Sequence, residues 1–421
     1  MPPSQVDFSA LTHVIHFALV PNSNGSVDAS ANSVTPAYAS NLIAVAHSAG
    51  CKVLICVGGA DSETGFQGAT SAANRGTFIN NLVSFMSLYG YDGVDVDWEP
   101  LPSSDFNQYT NFVKALRSAL DGLSPRKLLT AAAAAYPVYG DSATAQYTMF
   151  ASLQGQFDQI NIMTYDLSGP WPGWVTWFNS PIYDGGLHFP NTSTLVPSVD
   201  GAVNNFLSGG VAPARLGIGI AFYGYLWTHG AGTSTGGTLL PRQSWTTAPS
   251  ASTVPYYNIL GSYFQSNLYH WDTTAQAAYL SITNTIATND VFLSYDDEHT
   301  CQAKVSYARN RFLGGVMIWE LRQGYRSAQP AGQRDALLQS LKQALATPRL
   351  MGIQRTNEDI RISFSSLPLA AYRVLVSTNL PSGPWATLTN NVPGTGAPIL
   401  LEDPSAATRP QPGFYRVKTP P

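Results

Sequence analysis

YDGVDVDWEP, Tyr91 to Pro100, sets four acidic residues, Asp92, Asp95, Asp97 and Glu99, into an otherwise apolar segment. In a strand, successive side chains alternate faces, so Asp95, Asp97 and Glu99 share one face and Val94, Val96 and Trp98 the other. Strand rise puts neighbouring carboxylates on that row roughly 6–7 Å apart at Cα. Three like charges on one wall do not all ionise cheaply, so at least one is expected to hold a proton near neutral pH. A carboxylic acid kept in that state can act as a general acid. Two rival readings are a strand with one solvated face and a hard-cation site for calcium or magnesium. The Val-Val-Trp face, the Glu-Pro stop and the scarcity of charge elsewhere favour the acid row. Asp92 lies on the other parity at the start of the strand and reads as structural, bonding local backbone.

Charged residues make up only 11% of the 421 residues, while 44% are hydrophobic. The usual charged share is about 25%, so Ser, Thr, Asn, Gln and Tyr must supply the polar surface. That suits an extracellular protein working on neutral polymers. A net charge of −4 gives no electrostatic case for nucleic acid or an anionic membrane. No apolar run is long enough to span a membrane, and no basic-then-apolar leader stands at Met1. Secretion is therefore expected to rest on a leader removed or lying upstream. The seven His show no metal-ligand spacing; His13 and His16 fall on opposite faces of a strand. Cys51 and Cys56 also fall on opposite strand faces and are too far apart to pair. Pairing of either with Cys301 is left open.

Outward from the acidic strand, apolar strand-like and helical stretches alternate. LTHVIHFALV (11–20), 52–57, 128–134, 159–165, 216–223 and 315–321 read as strands. Stretches 36–47, 74–89, 106–120, 144–154, 199–207, 301–312 and 335–345 read as helices. Repeated strand-helix alternation argues for parallel strands joined by crossover helices, and a (β/α) barrel of the TIM type is the expected fold. The chemistry of such a barrel sits at the C-terminal ends of its strands, where Gly58-Gly59, Glu99, Tyr165-Asp166, Tyr223 and Trp319-Glu320 lie. A Ser/Thr/Tyr-rich span, about 228–291, is too long for an ordinary connection and reads as an α+β insertion before the last strand. After Pro348, short strands at 360–364, 372–377, 399–402 and 414–417 alternate with Pro/Gly turns. The expected domains are a barrel over 1–347 and a small all-β module over 350–421.

DGVDVDWE (92–99) has the form DxxDxDxE and resembles the active-site strand of glycoside hydrolase family 18, the chitinases. Other motifs stand in that family's order. CVGG (56–59) is similar to its SxGG strand end, with Cys56 in place of Ser. MTYD (163–166) resembles its sixth-strand motif. GIAFYG (219–224) is similar to GxPxYG, with Ala221 for Pro. YHWD (269–272), SYDD (294–297) and GGVMIWEL (314–321) match the insertion and the last strand. The resemblance covers roughly residues 6–345. The family opens with a strand upstream of the LTH strand; none precedes Leu11 here, so about seven barrel strands are expected, with truncation favoured over an open barrel.

The resemblance implies a retaining, substrate-assisted mechanism. Glu99 would be the general acid and base. Asp97 would orient the acetamide, Asp95 would share its proton, and Tyr165 would hydrogen-bond the acetamide. Trp319 would floor the sugar subsite, and Met163, Asp166, Tyr223 and Phe17 would line it. No metal or cofactor is implied. The expected partner is chitin or N-acetylglucosamine oligosaccharide, bound by a monomer. Trp171, Trp174, Trp177, Trp245 and Trp271 are candidates for outer subsites as well as for local packing, with Trp174 preferred because it follows MTYD closely. Trp385 is a candidate stacking residue or a core residue of the C-terminal module. Two other functions fit part of this pattern: an endo-β-N-acetylglucosaminidase acting on glycoprotein glycans, and a chitin-binding lectin without activity. The insertion favours a cleft for a linear polymer over the first, and the presence of Glu99 counts against the second.

Overall fold

A computed structural model describes the chain except residues 143, 347, 349, 357–358, 367–370, 380–382, 396, 409–412 and 419–421. Thr347, which closes the expected barrel domain, therefore lies outside the described residues. The chain forms two compact units, Met1–Leu338 and Gln339–Pro421.

In the first unit, strands and helices alternate. Strand β1 (His13–Pro21) turns back through the short β2 (Val27–Asp28) and leads to α1 (Pro36–Ser48). β3 (Lys52–Gly59) is followed by α2 (Glu63–Ala69) and α3 (Arg75–Tyr89), and β4 (Gly93–Trp98) by α4 (Phe106–Asp121). β5 (Leu128–Ala134) with α5 (Ala145–Leu153), β6 (Gln159–Met163) with α6 (Val199–Ser208), and β7 (Leu216–Ala221) continue the pattern. An inserted antiparallel sheet then carries β8 (Tyr223–Thr228), β9 (Ser250–Pro255), the turn α7 (Tyr256–Asn258), β10 (Tyr269–Asp272), β11 (Ala277–Ile282) and β12 (Val291–Tyr295), in the order β10-β11-β12-β8-β9. It claims a strand on each side of the 228–291 span. Helix α8 (Glu298–Asn310), strand β13 (Gly315–Trp319) and the short α9 (Leu321–Gly324) complete the series, and α10 (Ala336–Ala346) runs across the boundary at Leu338.

The barrel sheet has the order β13-β7-β6-β5-β4-β3-β1-β2. All pairings along it from β13 to β1 are parallel, and only β2 is antiparallel. The barrel therefore has seven parallel strands among the described residues. Among the described residues no backbone register joins β1 to β13. Their edges meet through side chains, with the Phe17 ring edge-on to Trp319 at 4.8 Å.

Sequence pattern explains the layers. All six residues of β4 are buried. Val94, Val96 and Trp98 belong to the main core, where Trp98 stacks on Phe66 of α2 at 4.6 Å and meets Tyr109 of α4 edge-on. Helix α4 buries Tyr109, Phe112, Val113, Leu116 and Leu120, one stripe at helical spacing. Gly90 ends α3 in the left-handed region, its N–H bonded to the Met86 carbonyl. Helix α2 is a finding that propensity hides, since it holds Gly65 and Gly68. A Cβ at those positions would lie 2.1 Å from the Pro21 carbonyl oxygen and 2.3 Å from Ser23 Cβ. The glycines let α2 press against the end of β1.

Asp92 is structural, as its parity implies: it accepts from the Val53 amide, Lys52 Nζ and His47 Nε2. All three cysteines are unpaired and buried, which closes the question left open for Cys301. The Cys51 thiol donates to the carbonyls of Phe8 and Leu11. No described helix is long and apolar enough to cross a membrane.

The second unit contains β14 (Leu350–Thr356), β15 (Asp359–Phe364), β16 (Ala371–Ser377), β17 (Ala386–Pro393), β18 (Ile399–Asp403) and β19 (Phe414–Lys418). They form two antiparallel sheets, β14-β15-β18 and β17-β16-β19, around Ile362, Phe364, Tyr372 and Val374. Trp385 is half-buried, and the Arg416 guanidinium lies 4.4 Å above its ring.

Candidate active site

β4 lies between β3 and β5, so its inward row is bordered on both sides. Register sets Cys56 and Thr130 beside Asp95, and Gly58 beside Asp97. Thr130 donates its hydroxyl to Asp95 Oδ1, and the Cys56 thiol also bonds this carboxyl. Burial nonetheless pushes the Asp95 carboxyl up to about 6, the two donors pulling the other way. The Cys56 thiol is pushed up as well, chiefly by burial and then by the neighbouring carboxylates, so it stays protonated and donating.

Asp97, next along the row, is buried and hydrogen-bonded to Glu99. Its carboxyl is raised well above the ordinary range, first by burial and then by the charges of Glu99 and Asp95. Asp97 Oδ1 has no hydrogen-bond partner. Glu99 ends the row half-buried. Burial raises its carboxyl, the Asp97 hydrogen bond opposes this, and the charges of Asp166 and Asp61 add to the rise. Both carboxyls of the Asp97–Glu99 pair therefore hold a proton more tightly than an isolated carboxyl does. Ser62 pins the strand end: its Oγ accepts from the Glu99 amide at 3.1 Å, and its amide donates to the Glu99 carbonyl at 2.8 Å.

Tyr165 and Asp166 follow β6, and Tyr223 opens β8. The Tyr165 hydroxyl is held protonated by burial and by the charges of Asp97, Glu99, Asp166 and Asp95, which places it close to the acid row. Tyr223 donates its hydroxyl to Asp166 Oδ1 at 2.8 Å, and its ring lies 6.1 Å from that of Tyr165. Met163, Tyr165, Ala221, Tyr223, Met317 and Trp319 form one apolar cluster. Phe17 reaches this cluster through Trp319. A pocket of about 280 Å³ opens beside Glu99, walled by Asp61, Pro100, Ala134, Tyr136 and Met163 among others.

The fold thus gathers Asp95, Asp97, Glu99, Tyr165, Met163, Asp166, Tyr223, Trp319 and Phe17. Trp174 stands outside that cluster, packed on Trp171 at 4.5 Å and Phe189 at 4.6 Å in the connection between β6 and α6. Trp177 is fully buried, Trp245 packs near Trp227, and Trp271 stacks on His299. Asp61, Ser62, Thr130 and Asn179 escaped sequence reading. Only Thr130 carried a signal: a hydroxyl amid the apolar run LLTAAAA must find a partner inside.

The family model described as "Glycosyl hydrolases family 18" matches residues 3–324. Chitinase A1 of Niallia circulans is 32% identical over 374 residues, covering 82% of this chain and 49% of its own. Chitinase 1 of Aphanocladium album is 30% identical over 306 residues, covering 70% of this chain and 66% of its own. The chain thus spans from about half to two thirds of the length of these relatives. Among solved structures, the Ostrinia furnacalis Group IV chitinase in complex with allosamidin is similar, with a TM-score of 0.69 and 22% identity over 82% of this chain and 94% of that one. Chitinase ChiW of Paenibacillus sp. str. FPU-7, described as a cell-surface multi-modular enzyme, matches all of this chain and 51% of its own, with a TM-score of 0.65 and 23% identity. At these identities the structural likeness speaks for the barrel fold.

Proposed function

The chain belongs to the glycosyl hydrolases family 18, and on that premise we propose that it hydrolyses β-1,4 bonds between N-acetylglucosamine units of chitin. The observation that carries this reading is the Asp95–Asp97–Glu99 row, whose carboxyls are all raised above the ordinary range and in which the buried Asp97 Oδ1 has no hydrogen-bond partner. An N-acetyl N–H would satisfy that oxygen.

Glu99 protonates the glycosidic oxygen as the bond to the leaving sugar breaks. The acetamide carbonyl oxygen of the same sugar attacks the anomeric carbon and gives a cyclic oxazolinium ion. Asp97 accepts the acetamide N–H and bears against the positive charge, and Asp95 shares a proton with it. The Tyr165 hydroxyl donates to the acetamide oxygen. Glu99, now a carboxylate, takes a proton from water, which opens the ring at the anomeric carbon with retention. A nucleophile from the substrate removes the need for a second carboxylate opposite the acid, the arrangement by which substrate-assisted families depart from the two-carboxylate rule. Trp319 floors the sugar, and Met163, Asp166, Tyr223 and Phe17 line its subsite. The protein acts on chitin outside the cell as a monomer, with residues 350–421 as an accessory module.

Glu99→Gln is expected to leave oligosaccharide binding and thermal stability intact and to lower kcat by about 10²–10⁴-fold, the usual weight of a general acid. Near-native turnover in that variant would refute the assignment. Incubating the wild-type chain with chitin oligosaccharides and with a high-mannose glycoprotein separates the alternatives. Release of N-acetylglucosamine oligomers supports chitinase activity, release of the glycan marks an endo-β-N-acetylglucosaminidase, and binding without release marks a lectin.

A further inference from the structure

Behind the wall made by Tyr165, Asp166 and Tyr223 lies a buried polar network that touches no reacting atom. Asp166 sits in the left-handed region at φ 55, where a residue with a Cβ is disfavoured. Its amide donates to Asn179 Oδ1 at 2.8 Å, and the Leu167 amide donates to the Asn179 carbonyl at 3.0 Å. Asn179 Nδ2 reaches the Tyr223 carbonyl at 3.5 Å. Asn179 is held in turn, its amide donating to Ser294 Oγ at 2.9 Å.

The next residue extends the frame. Ser180 Oγ donates to the Thr164 carbonyl and accepts from Lys304 Nζ at 2.5 Å. Lys304 also pairs with Asp296 Oδ2, which accepts the Ala221 amide at 3.2 Å. Asn179, Ser180, Asp296 and Lys304 are 1%, 4%, 3% and 0% exposed. A buried ion pair is commonly no more stabilising than well-packed apolar side chains of its size. Stability alone therefore does not account for this one. Lys304 holds Ser180, the residue after Asn179, and through it the carbonyl of Thr164 just before Tyr165, while Asp296 holds the amide of Ala221, the end of β7 two residues before Tyr223. These bonds also give the SYDD stretch, 294–297, a place behind the site rather than in it.

We propose that Asn179 and the Lys304–Asp296 pair are positioning residues, which lock Asp166 in its left-handed turn and hold the Tyr223 hydroxyl on it. The proposal rests on the reading of Tyr165, Asp166 and Tyr223 as the acetamide side of the subsite. A frame of this kind acts on the attacking acetamide without touching Glu99, which Asp166 reaches only through its charge.

The test uses the full chain with Asn179→Ala, and with the double variant Lys304→Met/Asp296→Leu, which removes the pair without stranding a buried charge. Kinetics are read on a chitin oligosaccharide and on an aryl chitobioside whose leaving group needs no protonation, alongside melting temperatures and a crystal structure of Asn179→Ala. Displacements near 1 Å can lower rates by about 10²-fold. Both variants are expected to lose about 10–100-fold in kcat, equally on the two substrates. In the crystal, Asp166 should leave the left-handed region and its bond to Tyr223 should lengthen. Three results would overturn the proposal: folded variants with unchanged kcat, a lowered melting temperature with full activity in the folded fraction, or a rate loss that the activated leaving group restores. If the wild-type chain cleaves neither substrate, the functional reading fails, and the Asp166 geometry in the Asn179→Ala crystal alone decides the positioning role.

Discussion

Asp95 and His16 pull stability in opposite directions over one pH window. Burial raises the Asp95 carboxyl from an ordinary 3.8 to about 6. Stability from this group is present below 3.8 and is lost as pH climbs through 6, a change on the order of 3 kcal/mol. Burial lowers the His16 imidazole from 6.5 to about 4, with its Nδ1 2.8 Å from the Tyr91 hydroxyl. Its contribution is present above 6.5 and is lost as pH falls toward 4, by a similar amount. The two largely cancel in the wild-type curve. Variants separate them: Asp95→Asn should gain on the wild type as pH rises from 4 to 7, and His16→Gln should gain on it as pH falls. Urea midpoints across that range check this, and an Asp95→Asn curve parallel to wild type contradicts it. Parity alone divided Asp95, Asp97 and Glu99 from Asp92. Asn179 was not legible, because its partners stand 13, 44 and 115 residues away along the chain and no motif surrounds it.

At the scale of elements, the end of β3 decides where Asp97 sits. Gly58 has φ 117, and a Cβ there would lie 1.9 Å from the Asp97 carbonyl oxygen and 2.8 Å from the Phe66 ring. Gly58→Ala is expected to destabilise the chain by about 2–4 kcal/mol through strain and overpacking, and to lower activity by shifting β4. Gly76 in α3 is the control, because a Cβ there meets nothing within 4 Å. Gly76→Ala should be neutral or stabilising by up to about 1 kcal/mol. Thermal melts of the pair check both; equal midpoints would remove Gly58 from the account. Elements with a full apolar stripe, α4 above all, were legible from spacing. α2 was not, because the glycines that let it approach β1 are poor helix formers. Nor were β14 and β17, whose residues are largely exposed and whose pairing comes from neighbours rather than composition. Helix α8 begins at Glu298, three residues before the expected Cys301, because Asp297 caps it through the Thr300 amide.

At the scale of the molecule, each unit has a core of its own. Removing residues 350–421 is therefore expected to leave turnover of soluble oligosaccharides in place while weakening retention on insoluble chitin. Unchanged retention in a pull-down would end the carbohydrate-binding reading of the module. The Arg416 guanidinium already covers one face of Trp385, which closes that face to a sugar.

The unpaired thiols carry a consequence for how the molecule can be watched. Cys51 is tied to backbone carbonyls near the chain start, Cys56 sits inside the barrel against Asp95, and Cys301 lies within α8. All three are buried, and burial keeps each in its unreactive protonated form. A thiol-specific dye thus stays silent on the native fold and takes up one label at each region as that region opens. The chain thus carries three native reporters that time its unfolding region by region.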